Sequence, residues 1–419
     1  MPNNPTNLFT NAHSHIFTVS DAPDYFLKTA IKSKWLAELV DKMLQKKGTR
    51  AVLQAIHWII KPFSPNYRNT VERYIEFVEI GTSATQQEIL DKESQAYSKV
   101  GTYRIVALTQ VLDYLDYNQT SNHKKIQTQV EEVANLKRNA LYQDRLYPFL
   151  GIDPRMQGTD LLQWVKKYVS KDYGFYGIKI YPAYGFFPFD NRLAPVWEWA
   201  AGEGIPVMSH STRGGSFYLG NFSSILNSGG FVPQSLNPNS ATMPAIKDRI
   251  NSLVKDGSVQ KNNKVWCNIF GHIDNYRVVL EDNRFKNLKI CLAHLGGSDE
   301  VNRSIPGKGP KPDYPDYLGP NWYTEIKKLM AEYPNVYSDI SYTLSDDDAM
   351  GIITAEFIGH PLMNRLMYGT DFYLTQQEAK GDEPNLINQF FKYFKDPEIR
   401  LLAYQNPHEF LRSNIHPEG

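Results

Sequence analysis

Short apolar runs recur along the chain, four of the eight closing on a histidine or an aspartate, and alternate with longer stretches whose apolar positions keep helical spacing. They fall near Leu8 to His15, Tyr103 to Leu108, Leu146 to Ile152, Tyr176 to Tyr181, Pro206 to His210, Lys289 to His294, Val336 to Ile340 and Leu366 to Asp371. Strands alternating with helices predict a parallel sheet built from strand-helix units. A closed (β/α)8 TIM barrel is favoured over an open sheet. The polar residues ending the first, fifth, sixth and eighth runs meet only where the first and last strands are neighbours. The whole chain, 1–419, reads as one barrel domain.

Two stretches exceed what a minimal barrel needs. From about 22 to 99, Leu36, Leu39, Val40, Met43 and Leu44 follow helical spacing, as do Val71, Tyr74, Ile75 and Val78, which predicts a helical insertion after the first strand. From about 212 to 273, the connection between the fifth and sixth strands is rich in Gly, Asn, Ser and Pro and reads as a lid-like insertion.

Composition narrows the partners. Lys plus Arg and Asp plus Glu number 45 each, so the formal charge is zero and offers no general attraction to nucleic acid or to an anionic membrane. No apolar run approaches the roughly 18 residues of a membrane span, and Met1 to Asn7 lack the basic start and apolar core of a secretory signal. The expectation is a cytoplasmic protein acting on a small molecule, with no nucleic-acid and no membrane partner. Its helical insertion offers either a cap over the pocket or a contact between copies in a homo-oligomer. Cys267 and Cys291 lie in no disulfide or ligand spacing and read as packing residues.

The chemistry sits at the strand ends. His13 and His15 flank Ser14, and side chains at i and i+2 of an extended segment point the same way. With His210, His294 and Asp371 they make five nitrogen or oxygen donors suited to zinc or a similar divalent ion. Plainer roles exist: His294 as a core histidine bonded to a backbone carbonyl, Asp371 as a helix cap. Alternation predicts that Met208 shares the inward face with His210, Leu292 and Ile290 with His294, and Gly369 with Asp371. Lys179, amid apolar neighbours, must reach solvent, find an anion, lose its proton or be chemically modified. If its amine takes up carbon dioxide, the carbamate is an oxygen ligand that can bridge two metals. Arg155 and Arg213 either grip a substrate carboxylate or make ion pairs. Tyr181, with Tyr184, Phe186 and Phe187, lines the barrel mouth or packs a loop onto it. His272 lacks strand-end placement, and a reach to the site from the lid is the lesser of its readings.

Taken in order, these motifs resemble the amidohydrolase superfamily, in its amidohydrolase-related branch. His13-Ser14-His15 matches the paired first-strand histidines, and His210 in Val207-Met208-Ser209-His210 the fifth-strand histidine. His294 in Leu292-Ala293-His294-Leu295-Gly296-Gly297 matches the sixth, and Asp371 in Tyr368-Gly369-Thr370-Asp371 the eighth. Asn406-Pro407 with Phe410-Leu411 resembles the closing helix. Lys179-Ile180-Tyr181-Pro182-Ala183 looks like the carboxylated-lysine segment of dihydroorotases, although Tyr184 to Asp190 do not.

The resemblance implies one or two divalent ions, zinc foremost. His13, His15 and Asp371 would hold one, with His210 and His294 completing that site or holding a second and carboxylated Lys179 joining as a ligand. It implies metal-assisted hydrolysis of a small amide, lactone or ester. Asp371, His294 and Lys179 would be the catalytic groups, and Arg213, Tyr181 and Arg155 the substrate contacts. The alternatives are non-oxidative decarboxylation of a small carboxylic acid and a non-catalytic metal-binding barrel.

Overall fold

A computed structural model describes residues 8–21, 76–77, 79–115, 124–156, 160–220, 234–255, 264–305, 319–378 and 380–419. Its strands are β1 (Phe9–Ser14), β2 (Tyr103–Ala107), β3 (Phe149–Gly151), β4 (Gly177–Ile180), β5 (Val207–Ser209), β6 (Ile290–Leu292), β7 (Val336–Asp339) and β8 (Leu366–Met367). β1 pairs in parallel with β2, and β3 to β8 form a parallel sheet in sequence order. Backbone hydrogen bonds join the two pieces at both seams. Tyr147 N–H donates to Ile105 O at 2.9 Å on one side, and Asp371 N–H to His13 O at 2.8 Å on the other. The eight strands therefore close a (β/α)8 barrel, as their order requires.

The described helices are α1 (Gln86–Tyr97), α2 (Lys124–Arg138), α3 (Leu161–Tyr168), α4 (Ala194–Glu203), α5 (Met243–Lys255), α6 (Lys264–Phe270), α7 (Ile273–Leu280), α8 (Ser298–Arg303), α9 (Trp322–Glu332), α10 (Asp347–Phe357), α11 (Glu383–Tyr393), α12 (Asp396–Arg400) and α13 (Asn406–Leu411). Side-chain caps start several of them: Asp160, Asn321, Asp346 and Asp382 each accept a backbone N–H of the first turn. α4 stops at Gly204, whose φ of 68° suits a residue without Cβ. Among the described residues no helix is long and apolar enough to cross a membrane.

Alternation along the strands separates two apolar layers. Ile105, Ile178, Val207, Leu292 and Val336 face outward to Val133, Val165, Trp197, Leu329 and Ile353 in one large buried cluster. Ala12, Val106, Phe149, Met208, Cys291 and Met367 fill the interior, with Phe410 and Leu411 of α13 against its lower end. Each such aliphatic or aromatic side chain contributes about 1.5–3 kcal/mol on burial. One level of this interior runs in register through Gly151, Lys179, Met208, Cys291 and Tyr337, so a lysine stands inside the barrel.

Met208 lies inward, as expected for a strand ending in His210, but the sixth strand differs. Cys291 faces the interior, while Ile290 and Leu292 face the helices. The reason is local: Ala293–Leu295 is a 3-10 turn with His294 at φ 69°, so His294 is no longer part of the strand's two-residue period.

Residues 22–75, including most of the helical pattern noted after the first strand, lie outside the described residues, as does Val78. Within 212–273 the described chain forms α5 and α6. Ile246, Ile250 and Leu253 of α5 and Val265, Ile269 and Phe270 of α6 are buried.

Gly369 follows β8 where the first and last strands meet. A Cβ built there lies 2.9 Å from His13 Cβ and 3.1 Å from Ser341 Cβ, atoms that no rotamer change moves. Gly369→Ala is expected to cost about 1–3 kcal/mol, read as a lower urea midpoint at unchanged slope.

Candidate metal centre

β1 carries a register break between Asn11 and Ser14. It lets Ala12 pack in the interior while the next residue, His13, also turns to the barrel axis. The His13 and His15 ring centroids are 5.4 Å apart, those of His13 and His294 4.7 Å, and those of His210 and His294 5.0 Å. Asp371 Oδ1 lies 3.3 Å from His13 Nε2 and 3.1 Å from His15 Nε2. His13, His294 and Asp371 each place a ligand atom within 4.8 Å of the others. Asp371 and His294 both adopt left-handed backbone conformations, at φ 63° and 69°. Such non-glycine residues cluster at functional sites.

Every imidazole is tethered on its outer nitrogen. His13 Nδ1 meets Asp339 Oδ2 at 3.0 Å, His15 Nδ1 meets Leu108 O at 3.2 Å, and His294 Nδ1 meets Ser341 O at 3.1 Å. His210 is reversed, with Nε2 at 3.0 Å from Gly214 O. These acceptors assign the proton to the outer nitrogen in each ring, leaving a lone pair on the inner one. Burial lowers the pKa of all four, His294 to about 4, so they stand neutral. The inner atoms crowd: His294 Nε2 lies 3.2 Å from His210 Nδ1, and buried Asp371 Oδ1 has no hydrogen-bond partner. Lone pairs brought this close repel. A divalent cation removes that conflict, and the mixed imidazole and carboxylate donors suit one. The residues present therefore fit a metal.

The supports behind the donors were less legible. Asp339, at the end of β7, accepts from His13, from His294 N–H at 3.0 Å and from Ser341 N–H at 3.1 Å. Burial alone would raise its carboxyl, yet its contacts with His13, His294 and Ser341 hold it well below the usual range. Its signal in the sequence was a carboxylate inside the seventh apolar run. Asn11 Oδ1 accepts from the backbones of His13 and Thr370, and its amide donates to Glu93 Oε1 at 2.8 Å. Glu93 also takes the Ser14 hydroxyl at 2.6 Å, and Glu383 takes those of Thr370 and Tyr97.

Glu93 and Glu383 have a consequence for stability. Burial raises both carboxyls, Glu93 well above the ordinary range and Glu383 from 4.5 to about 7. Between those two values the folded chain holds more protons than the unfolded one, so stability falls as pH rises through that window. Glu383→Gln keeps an acceptor for Tyr97 and removes the titration. It is expected to flatten the fall by about 3 kcal/mol, measured as urea stability at pH about 5 and about 8. Parallel curves for wild type and variant would count against this account.

The remaining sequence candidates separate in space. Lys179 Nζ stands 3.5 Å from His13 Nε2, and burial lowers its pKa to about 8. The Tyr181 hydroxyl is 3.0 Å from His210 Nε2, with the two rings stacked at 3.9 Å. Arg155 binds Asp153 through two nitrogens, at 2.9 and 2.6 Å, and reaches Tyr184 O. Arg213 pairs with Glu300, donates to Pro320 O and lies over the Trp322 ring. His272 caps α7 and bonds Arg249. Gln110 was not anticipated; its Nε2 lies 3.2 Å from His15 Nε2, and its Oε1 accepts from the Tyr184 hydroxyl.

The family model described as Amidohydrolase matches residues 86–413. The chain belongs to the amidohydrolase family. Solved structures are similar to this family member at low identity. A variant of 5-carboxyvanillate decarboxylase from Novosphingobium aromaticivorans, bound to manganese and 3-methoxy-4-hydroxy-5-nitrobenzoic acid, is 12% identical with a TM-score of 0.50, covering 98% of this chain and 99% of that one. 4-Oxalomesaconate hydratase from Rhodopseudomonas palustris is 11% identical with a TM-score of 0.44, covering 98% and 96%. A probable 2-pyrone-4,6-dicarboxylic acid hydrolase from Acinetobacter baumannii is 12% identical with a TM-score of 0.45, covering 96% and 98%. No curated protein matches the chain.

Proposed function

We propose that this amidohydrolase-family chain is a metal-dependent hydrolase of a small amide, lactone or ester, its metal held by His13, His15, His210, His294 and Asp371. The observation that carries this reading is Asp371 Oδ1, a buried carboxylate oxygen without a hydrogen-bond partner beside the His13 and His15 nitrogens. A divalent ion, zinc foremost, supplies a lowered pKa for water and polarises a carbonyl when bound among such donors. Asp371 takes a proton from the attacking water and returns it to the leaving group. His294, fixed by Ser341, keeps its inner nitrogen on the reacting side. Tyr181 is the substrate contact nearest to His210, while Arg155 and Arg213 hold the surrounding wall through Asp153 and Glu300. As a carbamate, Lys179 would extend the donor set toward a second ion.

The alternative is non-oxidative decarboxylation of a small carboxylic acid. Product analysis separates the two. Metal removal by a chelator is expected to abolish turnover, and zinc, manganese or cobalt to restore it. Purified protein with no bound divalent ion and no activity on any of the three ends both readings.

A further inference from the structure

Asn11 and Ser14 stand three positions apart on β1. In an unbroken strand an odd separation puts two side chains on opposite faces, yet both of these reach one carboxyl behind the barrel wall. Glu93, on α1 and fully buried, accepts the Asn11 amide on Oε1 at 2.8 Å and the Ser14 hydroxyl on Oε2 at 2.6 Å. That double grip exists only with the register break between Asn11 and Ser14 in place.

The same break decides where the histidines point. Phe9 and Asn11 face the helices, and Ala12 faces the interior. Continued without a break, the two-residue period would carry His13 and His15 outward to α1 and Ser14 inward. Glu93 Oε2 would then lose its donor, and a buried carboxyl oxygen without one is costly. Asn11 completes the arrangement by standing in for the interrupted ladder: its Oδ1 accepts from His13 N–H at 3.2 Å and from Thr370 N–H at 3.1 Å. The amide keeps that orientation because its nitrogen end finds Glu93 and, at 2.8 Å, Thr370 Oγ1.

We propose that Glu93 is a positioning residue for the metal centre: by holding Asn11 and Ser14 at once, it selects the β1 register that turns His13 and His15 to the barrel axis. The inference rests on the metal-centre reading. Glu93 acts through its two partners on the strand and not on the ion.

Glu93→Met keeps the length of the side chain and removes both acceptors. Competition against a chromophoric chelator is expected to show zinc bound about 10- to 100-fold more weakly than by wild type, the range for groups that orient metal-binding histidines. Glu93→Gln keeps both bonds, its carbonyl for the Asn11 amide and its own amide for the Ser14 oxygen, and is expected to stay within about threefold of wild type. The visible bands of the cobalt-loaded protein report donor geometry; they are expected to move in Glu93→Met and to stay in Glu93→Gln. An unchanged zinc Kd or unmoved cobalt bands in folded Glu93→Met overturns the proposal, as does a loss in Glu93→Gln equal to that in Glu93→Met. Should Glu93→Met not fold, Ser14→Ala decides, since it removes one end of the grip with a single atom. It is expected to weaken zinc binding about 3- to 10-fold, the worth of a hydrogen bond, and an unchanged Kd there overturns the proposal. Failure of the metal-centre reading looks different: wild type itself then binds no divalent ion.

Discussion

Replacing Asp371 with Asn lowers kcat by a factor of about 10²–10⁴, the usual worth of a positioned general base. The exchange conserves volume, so the packing around His13 and His15 stays. What it removes is the one buried oxygen without a hydrogen-bond partner among these donors. An amide cannot take the proton that a carboxylate takes, and it turns an N–H toward nitrogens that already present lone pairs. Because the interaction is made in the reaction and not in substrate binding, kcat and kcat/KM fall together. Full kcat in the Asn variant at saturating zinc would remove Asp371 from the chemistry.

Asp339→Asn weakens metal affinity by about 10- to 100-fold, as changes to groups that orient metal-binding histidines do. Asp339 touches the proposed ion nowhere. It orients His13 through Nδ1, fixes the backbone of His294 and holds the Ser341 hydroxyl. An amide has one oxygen for these donors and presents an N–H to at least one of them. Competition against a chromophoric chelator measures the loss, and kcat at saturating metal should change far less than Kd. An unchanged Kd would show that Asp339 merely fills space between β6 and β7.

Much of this arrangement was legible because it rests on short-range pattern. Apolar runs ended near His15, His210, His294 and Asp371, and a barrel collects strand ends at one mouth, so the order of elements and the donor types followed from spacing. Legibility failed where the backbone leaves its period. The break in β1 puts Ala12 and His13 on one side, and the left-handed turn at His294 exchanges Cys291 for its neighbours; neither is visible in a two-residue alternation. The supports were hidden for another reason. Glu93 reaches Asn11 from 82 positions away and Asp339 reaches His13 from 326, and one carboxylate among 45 acidic residues carries no local mark of such a partner. Arg155 and Arg213 show the converse. Both sit just past strands, where a substrate clamp is expected, and both are held by acids: Asp153 stands only two positions before Arg155, whereas Glu300 reaches Arg213 from 87 positions away.

The seam between the first and last strands lies among the proposed donors: Asp371 N–H bonds His13 O, and Asn11 joins Thr370 across 359 positions. Shutting the ring and assembling the donor cluster are thus a single event. During synthesis the histidines near the start have no carboxylate to meet until almost the whole chain has emerged. An ion that prefers the finished cluster acts as a clasp on the cylinder, and its scarcity in the cell would register first as a parting of that join.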